Sequence, residues 1–267
     1  MKIPFLNPAP RISVIRLQGT IGISSRGGGL SDAALAPVLE KAFTKGKPKA
    51  VALAINSPGG SPVQSSLIAA RIRRLADHHD VPVHAFVEDV AASGGYWLAC
   101  AADQIWADEC SVIGSIGVIS GGFGLQEFIA RHGIERRVYT AGKSKSQLDM
   151  FRPEKSEDIA RLQTLLEDMH RIFIALVKSR RGARLTENED IFTGEFWLAS
   201  RAQELGLSDG IAHLAPKMHA LFGDDVKFQS FGTRKPMLRR FGLSGGDIAE
   251  DALASIEERI AFQRFGT

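Results

Sequence analysis

Ala50-Val51-Ala52-Leu53-Ala54-Ile55 is an unbroken apolar run closed by Asn56-Ser57-Pro58-Gly59-Gly60. A strand with one wet face alternates in polarity. A strand that does not alternate must be covered on both faces, which is the place of a central strand in a mostly parallel sheet. The pattern beyond its glycine turn is helical to about Ala76. Upstream, Arg11–Leu17 alternates as a half-buried strand, Gly19–Gly29 forms a loop, and Ser31 caps a helix to about Lys45 carrying Leu35, Val38, Leu39 and Phe43 at helical spacing. Downstream, Val81–Val87 is a strand ended by Glu88-Asp89, and the small-residue turn Ala91–Gly95 opens an apolar helix to about Ala101. Strand–turn–helix recurring three times implies an α/β fold, with right-handed crossovers and helices laid on a mostly parallel sheet.

The later chain continues this grammar. Gln104–Ala107 reads as a short strand, and Ser111–Ile119 is apolar but punctuated by glycine. A helix is predicted at Leu125–Arg131, a strand at Glu135–Thr140, a long amphipathic helix over 154–180, and a shorter helix from near Leu198 to Gly206. Residues 1–10 hold three prolines and form an extended lead-in, and 11–232 form the folded domain. Residues 233–267 are a basic hinge and a C-terminal amphipathic helix, in which Ile248, Ala252, Ile256 and Ile260 share a face. That stripe needs cover from the subunit's own core, from a neighbouring copy, or from a lipid surface helped by Arg234, Lys235, Arg239 and Arg240.

Several classes of function lack support. Thirty-three basic and 30 acidic residues leave a net charge of +3, too little for a nucleic-acid partner. The charge-free stretch Val90–Ala102 is shorter than the ~20 apolar residues of a spanning helix, so no transmembrane segment is expected. The N-terminal residues lack the apolar region of a signal peptide. The expectation is a soluble chain, cytoplasmic or peripheral to a membrane. Two cysteines, Cys100 and Cys110, cannot organise the fold. No His-Glu-x-x-His, Cys-x-x-Cys or phosphate-binding glycine loop occurs, so neither metal nor cofactor is expected. Arg71, Arg73 and Arg74 read as a solvated helix face.

Three features sit where open α/β sheets place ligands, at strand C-termini. Gly59 and Gly60 let the backbone approach a ligand and turn amides into a cleft, and they serve equally as a tight turn. Ser93, between two alanines and two glycines, is either a helix N-cap or a nucleophile at a helix N-terminus, with Gly94 supplying the next amide. Gly142-Lys143-Ser144-Lys145 offers either solvated loop lysines or a base, since a lysine whose amine is neutral takes protons as histidine does.

In this order, Asn56-Ser57-Pro58-Gly59-Gly60, Ala92-Ser93-Gly94-Gly95-Tyr96, Gly114-Ser115-Ile116-Gly117-Val118 and the Gly142-x-x-Lys145 loop resemble the signal peptide peptidase A (protease IV) family. These are serine–lysine peptidases of the ClpP/crotonase fold, built from repeated ββα units. The resemblance runs from about Arg11 to Leu214 and includes Thr193-Gly194-x-x-Trp197 through Asp209. It implies Ser93 as nucleophile, Lys145 rather than Lys143 as general base, Ser115 as the hydroxyl that orients the amine, and the amides of Gly59 and Gly94 as oxyanion hole. It implies peptide substrates, hydrophobic ones such as remnant signal peptides, and a single-repeat chain that builds its sites within a homo-oligomer. Two alternatives differ in class: a crotonase-like acyl-CoA enzyme, for which no adenine pocket is visible, and a catalytically idle scaffold of the same fold.

Overall fold

The run at Ala50–Ser57 lies in the middle of the sheet, and all eight of its residues are buried. The structure is a computed structural model that describes residues 9–22, 29–187, 190–232 and 259–266. The first half of the chain gives β1 (Arg11–Gln18), α1 (Asp32–Thr44), β2 (Ala50–Ser57), α2 (Pro62–His79), β3 (Val83–Ala92), α3 (Gly94–Ala99), β4 (Gln104–Ala107) and β5 (Val112–Gly114). The second half gives α4 (Gln126–Arg131), α5 (Ser156–Arg181), β6 (Phe196–Leu198), α6 (Ala199–Glu204), β7 (Gly210–Ile211), α7 (Leu214–Phe222) and β8 (Lys227–Phe231).

The strands form one sheet in the order β6-β5-β3-β2-β1-β8, with β4 and β7 branching from β3. Every pairing is parallel except β5 with β6. This is a mostly parallel sheet flanked by helices, of ClpP-like fold. Val51, Leu53 and Ile55 face the larger core, where they meet Leu39, Phe43, Ile68 and Ile72 of α1 and α2. Ala50 and Ala52 face the other side, with Phe86 and Trp106 beneath Met218 of α7. Full cover on both faces is what forbids alternation along β2.

Ser31 caps α1 as its sequence position suggests, its hydroxyl accepting from the Ala34 amide at 3.4 Å. Of the three α2 arginines expected on a solvated face, Arg74 is exposed but Arg71 and Arg73 are half-buried in ion pairs. Arg71 grips the Asp32 carboxylate with two bonds of 2.6 and 2.7 Å, and Arg73 reaches Asp103 and Asp77. The helix expected to end near Ala76 continues through His78 and His79, which form the last turn of α2. The strand expected to stop at Glu88-Asp89 runs on to Ala92 through a bulge.

The strand expected at Glu135–Thr140 does not form, and that stretch is exposed chain. A strand needs a neighbour for its backbone bonds. Here Arg136 and Arg137 pair instead with Asp149 and Glu135. The residues predicted as the C-terminal helix are described only over 259–266, and the hinge lies outside the described residues. At this end Phe265 packs on Val90, Ala92 and Val112, edge-on to Phe196, while Ile260, the one residue of the expected stripe that is described, is 58% exposed.

Candidate active site

Strands β2, β3 and β5 end side by side, and four of the five residues singled out from the sequence meet there. Ala92 is in register with Gly114 of β5, and the Ser93 amide donates to the Gly114 carbonyl at 2.9 Å. Ser93 is thereby set beside Ser115. On the other side stands Gly59, with φ 101°. A Cβ added to Gly59 would lie 2.7 Å from the Gly94 nitrogen and 2.9 Å from the Ser93 Cβ, so glycine is required by both conformation and space.

Ser93 and Ser115 both hold left-handed backbone, with φ of 52° and 54°. For residues other than glycine this costs about 1–3 kcal/mol each and persists only where the surroundings impose it. Those surroundings are dense. The Ser115 amide donates to Glu195 O at 2.6 Å, and His170 Nε2 donates to Ile116 O at 2.9 Å. A carbonyl only accepts, so that bond fixes the proton on Nε2. Beneath Ser93, Tyr96 of α3 is fully buried and its hydroxyl donates to Leu207 O at 2.8 Å.

Arg181 joins this frame, donating to Gly206 O and to both oxygens of Asp209. Burial pushes the Asp209 carboxyl up, but the hydrogen bonds from Arg181 and the Ile105 amide outweigh it and hold it below the usual range. Burial likewise pushes the Cys100 thiol at the end of α3 up to about 12, leaving it protonated and inert.

Ser93 stands at the N-cap position of α3, yet its hydroxyl makes no capping bond. The capping role that such a serine ordinarily plays is therefore absent. The residue is partly exposed while both flanks are buried. Gly94 opens α3, where helix amides lack intrahelical partners. The Gly59 amide is engaged within its own turn, donating to Ser57 Oγ at 3.2 Å.

Lys145 is placed elsewhere. It lies in exposed turns after Gly142, its amide donating to Gly142 O at 3.2 Å. Lys143 is exposed in the same turns. Among the described residues, neither lysine side chain makes a hydrogen bond or ion pair with the Ser93 cluster. Sequence reasoning passed over His170, which carries no motif, and passed over Asp89, taken as the end of a strand.

A strained serine beside glycine amides at the carboxyl ends of parallel strands is an arrangement suited to acyl transfer. The family follows from comparison with known proteins. A model described as Peptidase family S49 matches residues 76–219, more than half of the sequence, and the chain belongs to that family. Ser93, Ser115 and Lys145 fall inside the match and Gly59 before it. A Na(+)/H(+) antiporter NhaA of Brucella melitensis is 45% identical over 270 residues, covering 96% of this chain and 37% of that protein. Protease 4 of Haemophilus influenzae is 32% identical over 217 residues, covering 79% of this chain and 34% of that protein. The chain thus spans little more than a third of these relatives. Among the described residues, no helix is long and apolar enough to cross a membrane. A solved membrane-bound stomatin-specific protease, 1510-N, bound to a substrate peptide, superposes with a TM-score of 0.54 at 14% identity. It covers 93% of this chain and all of that one, a likeness of fold.

Proposed function

We propose that this chain is a serine endopeptidase in which Ser93 and Lys145 act as a dyad on extended hydrophobic peptides such as remnant signal peptides. One observation carries the reading: Ser93 is held in strained backbone, uncapped, between Gly59 and Ser115. The neutral amine of Lys145 takes the Ser93 hydroxyl proton as Oγ bonds to the peptide carbonyl carbon. The Gly59 and Gly94 amides receive the oxyanion, a charged acceptor that outcompetes the long Gly59–Ser57 bond. The C–N bond then breaks, the proton passes to the leaving amine, and water hydrolyses the acyl-enzyme. Ser115 Oγ orients the amine.

Lys145 stands exposed on a segment rich in uncovered apolar side chains, which favours delivery of the amine to Ser93 of a neighbouring copy in a closed homo-oligomer. Cleavage of a quenched apolar peptide tests the chemistry. Ser93→Ala, Lys145→Ala and the double variant are expected to be equally inactive, with Lys143→Ala near normal. Turnover should rise from acid towards neutral and alkaline pH, because only the unprotonated amine is a base. Activity retained by Lys145→Ala but lost in Lys143→Ala would move the base to Lys143.

A further inference from the structure

The bulge in β3 is where the site is assembled. Between Ile55↔Val87 and Ser57↔Ala91 the register advances two residues on β2 but four on β3, so β3 carries two extra residues around Glu88 and Asp89. At the same point β3 changes neighbour. It pairs with β4 up to Val87↔Ala107 and with β5 from Val90↔Val112 onward. The bulge therefore carries the strand end bearing Ser93 away from β4 and onto the strand that leads to Ser115. Bulges commonly re-aim strand ends beside active sites.

Two side chains pin it. Ser111, buried, donates its hydroxyl to Val87 O at 3.1 Å and to Glu88 O. From the other side Asn56 Nδ2 donates to the Asp89 carboxylate. Asn56 is 8% exposed and immediately precedes Ser57-Pro58-Gly59. A carboxylate only accepts, so the amide's nitrogen must face it and the orientation is set. Asn56 also holds the chain entering from β1, its carbonyl accepting from the Gly19 amide at 2.9 Å. One side-chain bond thus ties the strand that ends in the Gly59 turn to the strand that ends in Ser93.

We infer that Asn56 and Asp89 are positioning residues that fix Ser93 relative to the Gly59 amide. The inference rests on Ser93 being the nucleophile. Asp89 is exposed, so its substitution leaves the core intact. Displacements of an ångström at a reacting centre change rates by about 100-fold. Asp89→Ala is expected to lower kcat by roughly tenfold or more with KM little changed. Asp89→Asn, whose side-chain oxygen still accepts, should recover most of the loss.

If Asn56→Ala folds, it should lower kcat to the same degree, and the double variant should be no worse than either single. If it does not fold, the Asp89→Ala and Asp89→Asn pair decides alone. A merely structural tie would lower melting temperature in Asp89→Ala and leave kcat at the wild-type value, and that result overturns the inference. So does an Asp89→Asn variant as slow as Asp89→Ala. The parent reading is separated by Ser93→Ala in the same assay. Full activity there removes the nucleophile itself, whereas an inactive Ser93→Ala beside a fully active Asp89→Ala removes only the positioning role.

Discussion

Ser93 and Lys145 occupy contrasting ground. Ser93 sits on a turn gripped by β5, by the Gly59 loop and by α3, whose Tyr96 is buried against the chain leading to Asp209. Lys145 belongs to residues 117–155, where α4 buries no residue and Ile119, Phe123 and Tyr139 are 74%, 81% and 91% exposed. A monomer gains nothing from large apolar side chains in water, and contiguous ones mark interaction surfaces. The contrast teaches that the Ser93 turn is preorganised within one chain, whereas on the proposed reading the exposed segment carrying Lys145 is completed by contact with a neighbouring copy.

Substitutions can break or sharpen this contrast. The largest effect belongs to Ser93→Ala, expected to lower peptide turnover on the order of 10⁴-fold or more with an unchanged melting curve. Next is Arg181→Ala, which leaves the partly buried Asp209 held only by Arg184 at 3.2 Å and by the Ile105 amide, and should cost about 2–3 kcal/mol of stability, read by denaturant unfolding.

The same pair has a pH signature. Because the folded Asp209 carboxyl lies below its ordinary value, its contribution is whole above ~pH 4 and is lost as pH falls through the lower folded value. Arg181→Ala should flatten that part of the acid unfolding profile.

Tyr96→Phe deletes one buried bond and leaves the Leu207 carbonyl unpaired, an expected loss of about 1–2 kcal/mol. The smallest effect on stability is expected in residues 117–155. Phe123→Ser combined with Tyr139→Ser should shift subunit stability by no more than ~0.5 kcal/mol while reducing assembly and turnover together, as read by light scattering and peptide cleavage.

Much of the frame was legible in the sequence. The unalternating run at Ala50–Ile55 announced a central parallel strand, and Ser31 announced the start of α1, because burial on two faces and capping are local demands. The glycine turn and the Ser93 turn were legible as places for chemistry, but their meeting depends on strand register, which no local pattern encodes. Where local pattern met a missing neighbour it misled. Glu135–Thr140 reads as a strand from its Val138-Tyr139-Thr140 end, yet among the described residues no strand lies beside it. At Glu88-Asp89, two carboxylates in an apolar strand looked like its end. They are instead the bulge that turns it toward β5, held by bonds from Asn56 and Ser111 that are distant in sequence. His170, which anchors Ile116 from α5, is one histidine among seven and carries no spacing signal.

The dyad shared between copies is tested most directly by complementation. Ser93→Ala and Lys145→Ala chains, each inactive alone, are co-expressed and purified as mixed oligomers. If each site takes its serine from one copy and its lysine from the next, random mixing should restore about a quarter of wild-type turnover per chain. Mixed oligomers of normal mass that remain as inactive as either parent would contradict the shared site.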